Sequence, residues 1–116
     1  MNTLLILNDA PYGSERTYNG LRLAGSLSRQ ENVQVRVFLI GDAVTSAKGG
    51  QKVPSGYYNV ATMVGAVLRH GGAVGVCGSC IEARGIGETE LLAGARRSSM
   101  DELTAWTLEA DKVLVF

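Results

Sequence analysis

Both cysteines of this chain, Cys77 and Cys80, fall in one stretch, GAVGVCGSCIEARGIG at residues 72–87. A thiolate is a nucleophile and a metal ligand, so two sulfurs three residues apart allow several chemistries. A C-x-x-C pair can cycle between dithiol and disulfide. It can supply two of the four ligands of a zinc site. One thiol can carry or relay sulfur as a persulfide while the other assists or resolves it. Both can also be small apolar fillers of a packed turn, because free cysteine is often buried. The dithiol reading lacks a well-placed proline, since the prolines are Pro11 and Pro54, and the zinc reading has a single histidine, His70, to draw on.

The elements around this stretch decide where the sulfurs sit. Residues 73–77, AVGVC, read as a short apolar strand that delivers Cys77 at its carboxyl end. If residues 78–83 open a helix, unpaired N–H groups there favour the thiolate, and Arg84 adds positive charge. Gly78 lets a second sulfur or a substrate approach the backbone.

Upstream, TLLILN at residues 3–8 predicts a strand, followed by a turn. Ser14 is placed to cap a helix running to about Arg29, with Glu15 in its first turn and Tyr18, Leu21, Ala24 and Leu27 as its apolar stripe. VQVRVFLI at residues 33–40 predicts a second strand, and GDAVTSA a helical turn. The Gly-rich segment KGGQKVPSGYYN is the long loop, expected to line or cover the site. Asn59 caps a helix carrying Val60, Met63, Val64, Val67 and Leu68 at helical spacing, and Gly71 stops it.

Residues 88–98 allow both a helical turn and a short strand near Ala95–Ser98. Ser99 and Glu102 form an S-x-x-E capping box for a helix to about Ala110, buried through Leu103, Trp106 and Ala110. KVLVF closes the chain as a strand. Strands alternating with helices argue for one α/β domain over residues 1–116, with a buried parallel sheet and helices on both faces.

Ligands of such sheets bind outside the carboxyl ends of the strands, which is where Cys77 falls. Asp9, Asp42 and Glu82 lie near the same rim and read as solvated carboxylates. His70, in LRHGG, reads as a helix-end cap, and GSE at residues 13–15 as a helix start rather than an anion site.

Composition narrows the partners. With 11 basic and 11 acidic side chains the net charge is zero, which supplies no basic footprint for nucleic acid. No run approaches the ~18–20 apolar residues of a membrane span, and the start lacks a basic leader region. The expectation is a cytoplasmic protein whose thiols stay reduced.

Taken together, APYGSE with LRLA, the DAVT and GQK segments, the C-x-x-C with RGI, and WTLEADKVL resemble the DsrE/DsrF-like family across nearly the whole length. That resemblance implies a Rossmann-like three-layer sandwich with a mainly parallel sheet of about five strands. It also implies a homo-oligomer, hexameric in the most similar members. No cofactor or metal is expected. Its sulfur-relaying members pass sulfur between protein thiols, and their working cysteine stands a fixed interval before an Arg-Gly pair. Counting back eight residues from Gly85 reaches Cys77, so the sulfur-accepting role falls there. Cys80 would resolve or protect that species, and Arg84 would stabilise thiolate. The chain departs from the relay members in its second cysteine and in EARG, where they carry a doubly basic run.

Overall fold

Five short strands, each ending at one rim, set the frame. The computed structural model describes residues 1–54 and 58–116. In chain order the elements are β1 (Asn2–Leu7), α1 (Arg16–Ser28), β2 (Gln34–Leu39) and a 3-10 segment at Gly41–Ala47. Then follow α2 (Val60–Arg69), β3 (Ala73–Cys77), α3 (Gly78–Ala83) and a 3-10 turn at Glu88–Glu90. β4 (Arg96–Ser98), α4 (Met100–Glu109) and β5 (Lys112–Val115) complete the chain. The sheet order is β4-β3-β2-β1-β5, with every pairing parallel. This is the α/β sandwich expected, and the ambiguous 88–98 segment supplies both the turn and the strand.

Alternation along the strands separates two faces. Leu5, Leu7, Val37, Leu39 and Val76 are fully buried. They share the face covered by α1, where Gly20 admits Leu7 and Phe116 against the helix backbone, and by α2, which packs beside α1. Burying each such Leu or Val contributes roughly 2 kcal/mol. The opposite face carries Leu4, Ile6, Phe38 and Cys77 under α4, with Trp106 packed edge-on against Phe38. Gly75 belongs to this face, and its missing side chain lets Phe38, Trp106 and Ser98 close over β3 two residues before Cys77.

The cap expected at Ser14 lies one residue later. Glu15 is the N-cap of α1, while the Ser14 hydroxyl donates to Asp9 Oδ2 at 2.8 Å. The buried stripe is rotated from the one expected and consists of Thr17, Gly20, Leu21, Ala24, Gly25 and Ser28. Two hydroxyls tolerate this burial because they bond to backbone, Thr17 Oγ1 to the Asp9 carbonyl and Ser28 Oγ to the Gly25 carbonyl. Tyr18 stays partly exposed and stacks on Tyr58 at 4.3 Å between ring centroids.

The caps at Asn59 and Gly71 hold as read, and the capping box at Ser99 forms only by half. Asn59 accepts from the Thr62 N–H, and Gly71 ends α2 at φ +83°. Ser99 accepts from the Glu102 N–H, but Glu102 does not return the bond. Its carboxylate takes both ends of Arg96 at 2.8 Å and the Ser98 hydroxyl, clamping edge strand β4 to α4. Arg96 holds this carboxyl below the usual range, against the opposing effect of burial. Ala110 caps α4 half-exposed, leaving Leu103 and Trp106 as its buried face.

Candidate functional site: a paired thiol at the sheet rim

Cys77 is the last residue of β3 and the N-cap of α3, so the strand end fixes its backbone and the helix start brings Cys80 back over it. The residue is buried, with 8% of its surface exposed. The Cys80 thiol donates to Cys77 Sγ across 2.6 Å, and Ser79 Oγ stands 3.4 Å from the same sulfur. Burial raises the Cys77 thiol, but the hydrogen bonds outweigh it. Cys80 contributes most, then Ser79, then the backbone N–H groups of both, and the net shift is downward.

Cys80 moves the other way. Burial and its bond to Cys77 raise its thiol, opposed by the Gly41 N–H and by the charge of Arg84. The Gly41 amide donates to Cys80 Sγ at 3.3 Å from a residue at φ +58°, a conformation glycine adopts without strain. One sulfur is therefore the favoured thiolate and the other the favoured proton donor.

Arg84 is part of this site through Cys80, not through Cys77. Its Nε and Nη2 bond to Asp42 Oδ1 at 3.2 and 2.7 Å, and its Nη1 bonds to the Cys80 carbonyl at 3.0 Å. It braces α3 against the 3-10 segment at Gly41–Ala47. Asp42 and Glu82 are solvated as read, and each also holds an exposed ion pair, Glu82 with Arg97 at 2.7 Å.

A cleft of about 260 Å³ opens beside Cys77, lined by Phe38, Ser79, Arg97, Ser98 and Met100 among others. Arg97 is a residue that sequence reasoning missed. A Cβ built on Gly78 would meet its guanidinium at 2.7 to 2.8 Å, so the arginine lies against the first turn of α3. Its place comes from the β3–β4 register, which sets Cys77 opposite Ser98 and Arg97 opposite Val76. An arginine in ARRSS carries no local sign of that contact.

Other expectations fall away from the site. The loop KGGQKVPSGYYN includes residues 55–57, which lie outside the described ones. Of its described residues, Lys48 and Gln51 fold onto the 3-10 segments, through Gln51 on the Thr45 and Lys48 carbonyls and a Lys48–Leu91 bridge, Tyr58 packs on Tyr18, and none lines the cleft. His70 caps α2 with its ring bonded to the Ala66 carbonyl at 2.7 Å, at the opposite rim from the cysteines. Among the described residues no three His, Cys, Asp or Glu side chains gather as a metal site, and no helix is long and apolar enough to cross a membrane.

A model of the DsrE/DsrF-like family matches residues 1–116. The chain belongs to that family. This DsrE-like chain is 43% identical over 114 residues to protein YchN of Escherichia coli K12, covering 97% of each. It is 37% identical over 116 residues to an uncharacterised protein of Methanocaldococcus jannaschii, covering 100% of each. Against the crystal structure of the E. coli YchN protein it superposes with a TM-score of 0.91 over 100% of both chains. A protein of unknown function from Methanobacterium thermoautotrophicum shares the fold at a TM-score of 0.75 and 14% identity, covering 99% of this chain and 97% of that one.

Proposed function

We propose that the protein relays sulfane sulfur, with Cys77 as the carrier. The Cys77 thiolate attacks the outer sulfur of a donor persulfide, R–S–SH. The S–S bond of the donor breaks, R–S⁻ leaves, and Cys77 holds the persulfide. An acceptor thiolate then attacks that outer sulfur and Cys77 leaves as thiolate. No net oxidation occurs in either step. Donor and acceptor are protein thiols in this reading.

The observation that carries the reading is the convergence of donors on Cys77 Sγ, in a residue that lines a cleft. A thiolate is the competent nucleophile, and here two side-chain donors favour it. Family membership adds to this, because sulfur relay is the role that the resemblance implies. The thiols are free, which suits a reducing cytoplasm.

The working unit in this proposal is a homo-oligomer, a hexamer. On the α4 face, edge strand β5 leaves Val115 65% exposed, and α4 leaves Leu108 82% exposed. Scattered apolar side chains are ordinary on a monomer, but Val115 lies on an edge strand of the sheet. Light scattering should give about six chain masses, and a single-chain mass would remove this part.

For the relay itself, the Cys80→Ser chain isolates the carrier. After exposure to an organic persulfide it should gain about 32 Da, one sulfur, on Cys77 and pass it to a fresh thiol. Cys77→Ser should gain nothing. An unmodified Cys80→Ser chain contradicts the proposal.

A further inference from the structure

A carrier of sulfane sulfur needs one thiol, and this one has a second beside it. The two Sγ atoms are 2.6 Å apart, only about 0.6 Å more than a disulfide bond. Cys77 lines the cleft, whereas Cys80 does not and is instead held by the Gly41 amide against the 3-10 segment. A donor entering the cleft meets Cys77, and Cys80 contacts the same sulfur without lining that cleft. Displacement at sulfur needs a nucleophile that does not share the leaving group's position, and a thiol held outside the donor's cleft suits that need.

We infer that the protein also reduces sulfane sulfur to sulfide, with Cys80 as the resolving thiol that attacks a persulfide on Cys77. The inference rests on the relay reading for the loading step alone. The reaction is Cys77–S–S⁻ plus Cys80–SH giving the Cys77–Cys80 disulfide plus HS⁻. The bond between Cys77 Sγ and the added sulfur breaks, and the bond between the two cysteine sulfurs forms. The two cysteine sulfurs are oxidised, the added sulfur takes both electrons, and the Cys80 proton leaves with it. A dithiol reductant from solution then returns the disulfide to the dithiol, closing a cycle.

Loading itself prepares Cys80 for this step. The charge on Cys77 opposes ionisation of its neighbour, and a persulfide moves that charge one atom further away. The Gly41 N–H and the Arg84 guanidinium, which both favour the Cys80 thiolate, stay in place. Asp42 is the carboxylate held by Arg84, so the positive charge near Cys80 is partly compensated but fixed in position. The same pair that makes Cys77 the first nucleophile makes Cys80 the second.

The substrate class is any sulfane sulfur small or extended enough to reach the cleft, and the products are free sulfide and the reduced donor thiol. The partner class is a dithiol reductase or a small dithiol. A carrier with a single cysteine can do neither the sulfide release nor the disulfide step.

The test uses full-length reduced protein, without oxygen, and one equivalent of an organic persulfide. Wild type should release about one sulfide per chain and lose about 2 Da as the disulfide forms. Cys80→Ser and Cys80→Ala should each retain about 32 Da on Cys77 and release sulfide at least about tenfold more slowly. Retention of the adduct on both variants shows that they load, and their circular dichroism should match that of wild type. Wild type that keeps the 32 Da adduct, with sulfide no higher than in Cys80→Ser, overturns the inference and leaves the relay standing. Failure of every chain to load removes the relay and this reaction with it.

Discussion

The turns after β1 and after β3 leave the same rim of the same sheet, on either side of β2, and they use their polar groups in opposite ways. In the β1–α1 turn the groups bond to each other. Ser14 donates to Asp9 at 2.8 Å, Thr17 donates to the Asp9 carbonyl at 2.6 Å, and Tyr58 donates to Glu15 at 2.9 Å. That last bond, with the Glu15 charge beside it, raises the Tyr58 hydroxyl. A cleft of about 290 Å³ stands there, lined by Pro11, Tyr12, Ser14, Glu15 and Tyr58 among others. Among the described residues that line it there is no thiol.

In the β3–α3 turn the donors converge on one atom. Cys80 and Ser79 both act on Cys77 Sγ, and that sulfur lines a cleft of similar size. Cleft volume therefore does not distinguish the two turns. What distinguishes them is whether hydrogen bonds end on a structural carboxylate or on an atom that can react.

Three substitutions sharpen the contrast. Removing the chief donor with Cys80→Ala should move the Cys77 ionisation midpoint upward and slow its alkylation at neutral pH, by about tenfold for each unit moved. Rates measured with a small alkylating agent, mapped by peptide mass, would show it. A midpoint unchanged by Cys80→Ala means that the pairing does not set the thiolate.

Gly78→Ala acts on access rather than ionisation. Its Cβ must displace the Arg97 guanidinium from 2.7 Å, and the arginine is the flexible end of a half-exposed ion pair. Stability should change by less than about 1 kcal/mol, while alkylation of Cys77 slows by about two- to threefold with the same midpoint. A shifted midpoint would place Arg97 in the thiolate's electrostatics instead.

Thr17→Val tests the other turn. It removes the hydroxyl that bonds to the Asp9 carbonyl and should cost about 1 kcal/mol in denaturant unfolding. Its effect on Cys77 reactivity should be nil. A change in thiol rate on this substitution would mean that the two turns are coupled across the rim.

How much of this could be read from the chain alone differs between the same two regions. The cysteine turn was legible because its determinants are local. An apolar run ends in Cys77, Gly78 follows, and Cys80 returns three residues later on a helical turn. Asn59, Gly71 and Ser99 were legible for the same reason, since caps and stops act within one turn of their helix.

Contacts set by pairing between distant strands were not. Arg97 reaches the first turn of α3 because β3 and β4 align Cys77 with Ser98, a register that no local pattern specifies. Arg84 finds Asp42 from 42 residues away. The stripe of α1 was misread because periodicity scores apolar side chains. Thr17, Gly20 and Ser28 are buried by hydroxyl-to-backbone bonds and by close approach instead.

The most direct test of the account is the pH profile of alkylation at each cysteine of the wild-type protein, read by mass mapping between about pH 5 and 10. An ordinary thiol ionises near about 8.5. Cys77 should be labelled first, with a midpoint below that value, and its rate should fall as acid protonates it. Cys80 should be labelled later, with a midpoint above it. Two cysteines that titrate together at the ordinary value, or a Cys80 that reacts ahead of Cys77, would contradict the assignment of carrier and companion.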